Sequence, residues 1–246
     1  LTFSPDGTQL AAIVFSTNGR EQSSRILIWD VINWQVAKEL PSGSIDLAFS
    51  PDGTHLGTIS DLDILIYDLD SQNIINRIRV RDSRALEWNP VNATDLVVKN
   101  RFGDNNIQII NPFTGEIVSQ LNYDDSSIHP SYSPDGQYLV LSRRTSNGVW
   151  IDVLESSNYT LVRSLSVSNG LFLVEDSVFW VDDNVIATSS LQGEAIIWNI
   201  SSNESTIASQ QLTTPIVSRP LSWNPDGSSY IYFVNDFDAN GLYILD

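Results

Sequence analysis

The chain contains no cysteine. That excludes disulfides, thiolate catalysis and cysteine-based zinc sites. Methionine is absent too, and histidine occurs only as His55 and His129. Basic residues are scarce: 13 Lys and Arg stand against 30 Asp and Glu, a formal net charge of −17. Non-specific nucleic-acid binding needs clustered positive charge, so no nucleic-acid partner is expected. Charge of this sign bears on solubility and on the choice of partner. No apolar run approaches the ~18 residues that span a bilayer, so no membrane insertion is expected. No charged-then-apolar leader opens the chain. It lacks an initiator Met and starts inside a strand-like pattern, so it reads as a piece of a longer or processed protein. At 246 residues it is long for one ordinary core, although all-β domains reach this length.

What the chain has is a phrase that it repeats. It reads Leu1-Thr-Phe-Ser-Pro-Asp-Gly7, Leu47-Ala-Phe-Ser-Pro-Asp-Gly53, Pro130-Ser-Tyr-Ser-Pro-Asp-Gly136 and Leu221-Ser-Trp-Asn-Pro-Asp-Gly227. Weaker copies, Leu86-Glu-Trp-Asn-Pro90 and Val178-Phe-Trp-Val-Asp-Asp183, fill the gaps. The six copies recur roughly every 39–48 residues, the range of propeller-blade repeats.

The second copy shows the physics of one unit. Leu47 and Phe49 alternate with smaller residues, a period of two that predicts strand a. In Ser50-Pro-Asp-Gly53, Pro fixes φ, Asp bonds the nearby backbone, and Gly supplies a positive φ. Strand b follows over Leu56 to Ser60. Ile64-Leu-Ile-Tyr-Asp68 is an apolar run of buried-strand length, strand c. Strand d runs from Ile74 to Val80 and alternates only in part. Strand c recurs as Ile26 to Asp30, Ile107 to Asn111, Val149 to Asp152, Ala195 to Asn199 and Leu242 to Asp246. Strand d recurs as Gln35 to Leu40, Glu116 to Leu121, Thr160 to Ser166 and Thr206 to Leu212, and the sixth unit has none. The expected fold is therefore all-β, about six four-stranded blades, the last without its outer strand.

The Ser-Pro-Asp-Gly turns, with Ile28-Trp-Asp-Val31 and Ile196-Ile-Trp-Asn199, resemble WD repeats over essentially the whole chain. The resemblance implies one β-propeller over residues 1–246 and a scaffold for protein–protein interaction, neither an enzyme nor a cofactor binder. WD repeats carry a His and an Asp in a polar network under the Trp. Here the Asp before strand c occurs at Asp61 and Asp104, while Ser23, Thr145, Gln192 and Ala239 replace it elsewhere. Blade packing is thus expected to supply most of the stability. TolB-type and peptidase-associated propellers also repeat Ser-Pro-Asp-Gly. An accessory propeller of a larger enzyme or envelope assembly is the alternative function.

The repeat sorts charges by end. The a–b and c–d turns share one end of each unit and hold Asp6, Asp30, Asp52, Asp68, Asp70, Asp95, Glu116, Asp135, Asp152, Glu155, Asp182, Asp183, Glu204 and Asp226, with no Lys or Arg. The b–c and d–a connections hold Arg20, Arg25, Arg81, Arg84, Arg101, Arg143, Arg144 and Arg219 among acids. Strands of five or six residues separate the ends by ~17–20 Å, and the Debye length is ~8 Å, so the ends act independently. Arg is favoured at binding hot spots. Arg81, Arg84, Arg101, Arg143, Arg144 and Arg219 are accordingly the expected contacts for a protein or peptide partner. The plain alternative is that the turn acids are local turn chemistry and the arginines solvate loops.

Other sites carry less. Asp236-Phe-Asp238-Ala-Asn240-Gly241 has the opening of a calcium loop, but it also falls where a b–c hairpin is required, and Asn-Gly is a hairpin signal. No metal site is expected. There is no Gly-x-Ser-x-Gly elbow, and neither His has a triad motif around it. Asp124-Asp125 and Asp182-Asp183 read as turns, because neighbouring strand residues face opposite ways. Trp29, Trp88, Trp150, Trp180, Trp198 and Trp223 fall in strands as core, while Trp34 falls in a c–d turn, where its apolar area favours capping the blade. Asn92, Asn158, Asn199 and Asn203 open glycosylation patterns, which matter only in a secreted eukaryotic protein.

Overall fold

Strand and turn are the only regular structure among the residues that the computed structural model describes. These are residues 1–18, 21–42, 44–60, 62–80, 82–100, 107–123, 129–145, 148–166, 178–189, 195–201, 204–208, 220–223, 230–236 and 239–245. Among them no helix is long and apolar enough to cross a membrane. The chain divides into two units, Leu1–Asp124 and Asp125–Asp246.

The first unit holds three antiparallel sheets. Sheet 1 is β1 (Thr2–Phe3), β2 (Gln9–Asn18), β3 (Glu21–Asp30) and β4 (Gln35–Ser42). Sheet 2 is β5 (Ser44–Phe49), β6 (His55–Ser60), β7 (Asp63–Asp68) and β8 (Asn73–Arg79). Sheet 3 is β9 (Ser83–Trp88), β10 (Leu96–Asn100), β11 (Ile107–Ile110) and β12 (Ile117–Leu121). Each strand pairs with its neighbour in sequence, so every sheet is a meander of strands a to d.

The second unit repeats the plan. Sheet 4 is β13 (His129–Tyr132), β14 (Tyr138–Thr145), β15 (Gly148–Glu155) and β16 (Thr160–Ser166). Sheet 5 is β17 (Phe179–Asp182), β18 (Val185–Ser189), β19 (Ala195–Asn199) and β20 (Glu204–Ala208). Sheet 6 has three strands, β21 (Pro220–Trp223), β22 (Tyr230–Asp236) and β23 (Ala239–Leu245). Among the described residues the strand pattern read from the sequence is thus the observed one, with three strands in sheet 6.

Packing explains why the middle of strand c, as in Ile64-Leu-Ile-Tyr67, is an unbroken apolar run. Ile64 and Ile66 face sheet 3, in a core with Leu86, Trp88, Leu96 and Val98. Leu65 and Tyr67 face sheet 1, in a core with Ala11, Ile26, Ile28 and Leu40. A strand buried on both faces loses its polar alternation. In the second unit, Val140, Ile151, Val153 and Leu165 meet Val178, Ile186, Trp198 and Ile200 in the same way. Trp88 lies across Gly57, where a Cβ would stand 3.4 Å from the ring. The absence of a side chain at Gly57 lets this indole reach the neighbouring backbone.

Three expectations are corrected. Asp152 is not a c–d turn acid. It sits inside β15 opposite Leu141 and is 2% exposed. The residue that closes this strand c is Glu155, because β15 runs three residues further and Trp150-Ile-Asp152 matches the strand-c ending in the wrong register. Asn240-Gly241 is not the b–c turn either. Both residues pair within β23, and the hairpin already closes at Asp236 opposite Ala239. Trp34 does not cap its sheet, as described below.

Candidate interaction surfaces

The Ser-Pro-Asp-Gly turns are built alike. Ser4, Ser50 and Ser133 donate their hydroxyls to Asp6, Asp52 and Asp135 at 2.6, 2.5 and 2.7 Å. Each same hydroxyl accepts a backbone N–H five residues on, from Gln9, His55 and Tyr138, at 2.9 Å. Each Asp also accepts a backbone N–H from Thr8, Thr54 or Gln137 at 3.0 Å. Gly7, Gly53 and Gly136 close the turn at φ 69°, 70° and 67°, where only glycine sits without strain. The acids at this end are therefore turn chemistry first. The fourth copy, Asn224 to Gly227, lies outside the described residues.

The same bonds keep these acids ionised. Asp6 is held below the usual carboxylate range, chiefly by the Ser4 hydroxyl and then by Thr8. At Asp52 burial pushes upward, but the Ser50 and Thr54 bonds together outweigh it and the net shift is downward. Asp30 is lowered by the Asn33 amide and side chain, and Asp68 by the Ser71 hydroxyl and amide. The turns at this end of the first unit thus present negative charge over a wide pH range.

The c–d turns share a second rule, which the sequence reading missed. Four residues after the polar residue that closes strand c, at Asp30, Asp68, Asn111 or Glu155, the backbone turns left-handed. The residues there are Trp34 (φ 51°), Gln72 (φ 58°), Gly115 (φ 78°) and Tyr159 (φ 57°). Strand d then carries a β-bulge just inside its start, so Ala37, Ile75, Val118 and Val162 have no cross-strand partner. Each bulge sets two consecutive residues outward: Val36-Ala37, Ile74-Ile75, Ile117-Val118 and Leu161-Val162 are all exposed.

The residue after the bulge reaches the next sheet. Lys38 Nζ donates to the Leu69 carbonyl at 2.6 Å, and Asn76 Nδ2 to the Pro112 carbonyl at 2.8 Å. In the second unit Arg163 Nη1 donates to the Ile200 carbonyl at 2.5 Å. Each acceptor immediately follows the Asp or Asn that ends strand c. Three unlike side chains thus perform one task at one position, tying an outer strand to the neighbouring turn.

The expected partner-binding arginines fall out differently. Arg84 lies at the start of β9 and is exposed. Arg143, on β14, gives its Nε to Asp152 at 2.7 Å, and its guanidinium lies 5.6 Å over the Trp150 ring. Ser164 completes the Asp152 site with a 2.5 Å bond. Arg144 stands opposite Val149 in the same hairpin. Arg81, Arg101 and Arg219 lie outside the described residues, as do Asp61, Asp104, Asp124 and Asp125.

Of the tryptophans, Trp88 and Trp198 are buried, with Nε1 donating to the Ala93 carbonyl and the Thr188 hydroxyl. Trp29, Trp150 and Trp180 are half-buried, and Trp34 is 67% exposed. His55 meets Phe113 edge-on at 5.2 Å and lies 4.0 Å from Asp68. Asn92, Asn158 and Asn199 accept the backbone N–H of Thr94, Thr160 and Ser201, so these glycosylation patterns double as turns. Asp182 likewise accepts the Asn184 N–H. No group of three or more His, Asp or Glu among the described residues is placed to hold a metal.

Solved structures share this fold. Hydrazine synthase of Kuenenia stuttgartiensis matches at TM-score 0.69 and 18% identity, over 94% of this chain and 72% of that one. The Cps50 (Swd1) β-propeller domain of Myceliophteria thermophila matches at 0.71 and 14%, over 99% of this chain and 81% of that one. The C-terminal WD40 domain of Sif2 matches at 0.65 and 14%, over 100% of this chain and 65% of that one. At such identities the likeness is one of fold, and the fold is that of a WD40-like β-propeller. No family model and no curated protein matches the chain.

Proposed function

We propose that residues 1–246 are one propeller, part of a longer chain, that acts as a non-catalytic scaffold for a protein or peptide partner. The observation that carries this reading is the repeated sheet, phased by Ser-Pro-Asp-Gly turns and similar in fold to WD40 and β-propeller domains. Propellers host many unrelated activities, so the fold alone assigns none. The proposed contact end is the one with the b–c and d–a connections. Arg84 is an exposed cation there, and Arg81, Arg101, Arg144 and Arg219 join it in the proposal. Arg143 belongs to the set with its charge already shared with Asp152.

The test is capture of the partner from the native source with the full-length protein, wild type against Arg84→Glu. A several-fold loss of capture at unchanged melting temperature is the expected result. Undiminished capture by Arg84→Glu, or equal loss when turn acids of the opposite end are reversed, removes the assignment of the face.

One observation favours a second reading. Hydrazine synthase shares the fold over 94% of this chain. The propeller would then be the accessory part of a larger enzyme or envelope assembly, of the TolB-like or peptidase-associated kind. Co-purification with a catalytic domain that is active only in its presence would favour this reading over the scaffold.

A further inference from the structure

Trp34 stands in an expensive place without a visible return. Its φ of 51° is the left-handed conformation that sheet 3 gives to Gly115. A bulky aromatic there is an outlier held against backbone strain. Tyr159 occupies the same position in sheet 4, but it is 7% exposed and shares a hydrogen bond with Tyr132. Trp34 has no such burial. Beside it Ile32 is 77% exposed, and Val36 opens the outward-facing doublet of β4. Three large apolar side chains thus stand in water within five residues. Apolar surface collected in this way marks a contact site, and Trp is the residue most enriched at the centre of such sites.

Charge selects the occupant. At this end of the first unit the turns span residues 4–8, 30–34, 50–54, 68–72, 89–95 and 111–116. They hold Asp6, Asp30, Asp52, Asp68, Asp70, Asp95 and Glu116, and no Lys or Arg. Asp30, two residues from Ile32, is held ionised by its bonds to Asn33 and Ile32. The nearby cation, Lys38, is engaged with the Leu69 carbonyl and stands 3.8 Å from Asp70. An anionic lipid surface or a nucleic acid is repelled by such a field. A second copy docking through the same end sets these acids against themselves. A polypeptide carrying Lys or Arg beside large apolar residues fits both the charge and the apolar face.

We propose that Ile32, Trp34 and Val36 form a docking site for a polypeptide segment combining basic and apolar side chains. The site lies at the opposite end of sheet 1 from the arginine-bearing connections, and it stands whether or not those connections bind a partner.

The experiment is a selection of displayed random 12-residue peptides on the full chain, repeated on Trp34→Gly and on Arg84→Glu. Binding of the enriched peptides is then measured by fluorescence anisotropy. Wild type and Arg84→Glu are expected to enrich peptides with Lys or Arg next to Leu, Phe or Trp. Trp34→Gly lowers their affinity by about tenfold or more, while its melting temperature holds or rises because glycine relieves the left-handed strain. Doubling the salt weakens wild-type binding. Four outcomes overturn the proposal: equal binding by Trp34→Gly, enrichment of acidic peptides, no enrichment, or a wild-type dimer in sedimentation that Trp34→Gly dissociates. Peptides lost on Arg84→Glu but kept by Trp34→Gly belong to the other end and overturn it as well.

Discussion

Lys38 of sheet 1 donates to the carbonyl of Leu69 in sheet 2 at 2.6 Å. The same position in the next sheet is Asn76, and in sheet 4 it is Arg163. Lys38→Met keeps the aliphatic stem and removes the donor. The expected loss is about 1–3 kcal/mol, that of a hydrogen bond from a charged group. The nearby Asp70 adds little, because an exposed ion pair at 3.8 Å is weak. Urea unfolding measures the change, and an unshifted midpoint would show that the tie is ornamental.

Arg143 and Arg84 should separate stability from binding. Removing Arg143 leaves Asp152 buried without its cation. Arg143→Met is therefore expected to cost about 3–5 kcal/mol, the usual penalty for breaking a buried pair. Arg84→Glu, on an exposed side chain, should stay within about 0.5 kcal/mol. Thermal unfolding of the two variants decides it. Near-equal stability would mean that Asp152 finds other support.

Acid should weaken the first unit over a definable window. Asp6, Asp30, Asp52 and Asp68 all have folded pKa values below their ordinary ones. The unfolded carboxyls titrate near ~3.9, so in that region the unfolded chain binds more protons. The stabilisation is complete above that pH and is lost as pH falls through the lower folded values. Melting temperature should thus drop steeply below about pH 4. The Asp6→Asn, Asp52→Asn double variant should show a shallower drop, and an unchanged slope would exclude these turns as its source.

Gly53 and Gly57 should fail for different reasons. Gly53→Ala puts a Cβ on a φ of 70°, costing about 1–2 kcal/mol through the backbone. Gly57→Val adds bulk 3.4 Å from Trp88, an overpacking cost of about 1–3 kcal/mol. Trp88→Leu should partly rescue the second and leave the first untouched. A double-mutant cycle in urea reads the coupling.

The repeat was legible because strand and turn each leave a local mark. Proline, Asp and Gly name the a–b turn without help, and a strand buried on both faces shows as an unbroken apolar run. Trp-x-Asp is a short pattern that puts the end of strand c at Asp152, whereas extension of β14 and β15 moves the true strand end to Glu155. The ties from Lys38, Asn76 and Arg163 were invisible because a donor's type varies while its position holds. The bulges did leave a trace: paired apolar residues such as Ile74-Ile75 and Ile117-Val118 break the period of two. That break is why strand d alternated only in part. Sequence reports the apolar area of Trp34, which favours capping, but not its exposure, since Tyr159 with the same left-handed backbone is buried.

Four outer strands each end their sheet and each bend after one or two paired residues. A stray strand arriving from another molecule would need a straight, evenly spaced row of amides to zip against. The kink breaks that row where the aliphatic doublets make the rim most adhesive. In these four sheets the outer strand can therefore keep its aliphatic doublet available for side-chain contacts while its amides stay poorly set to pair with another chain.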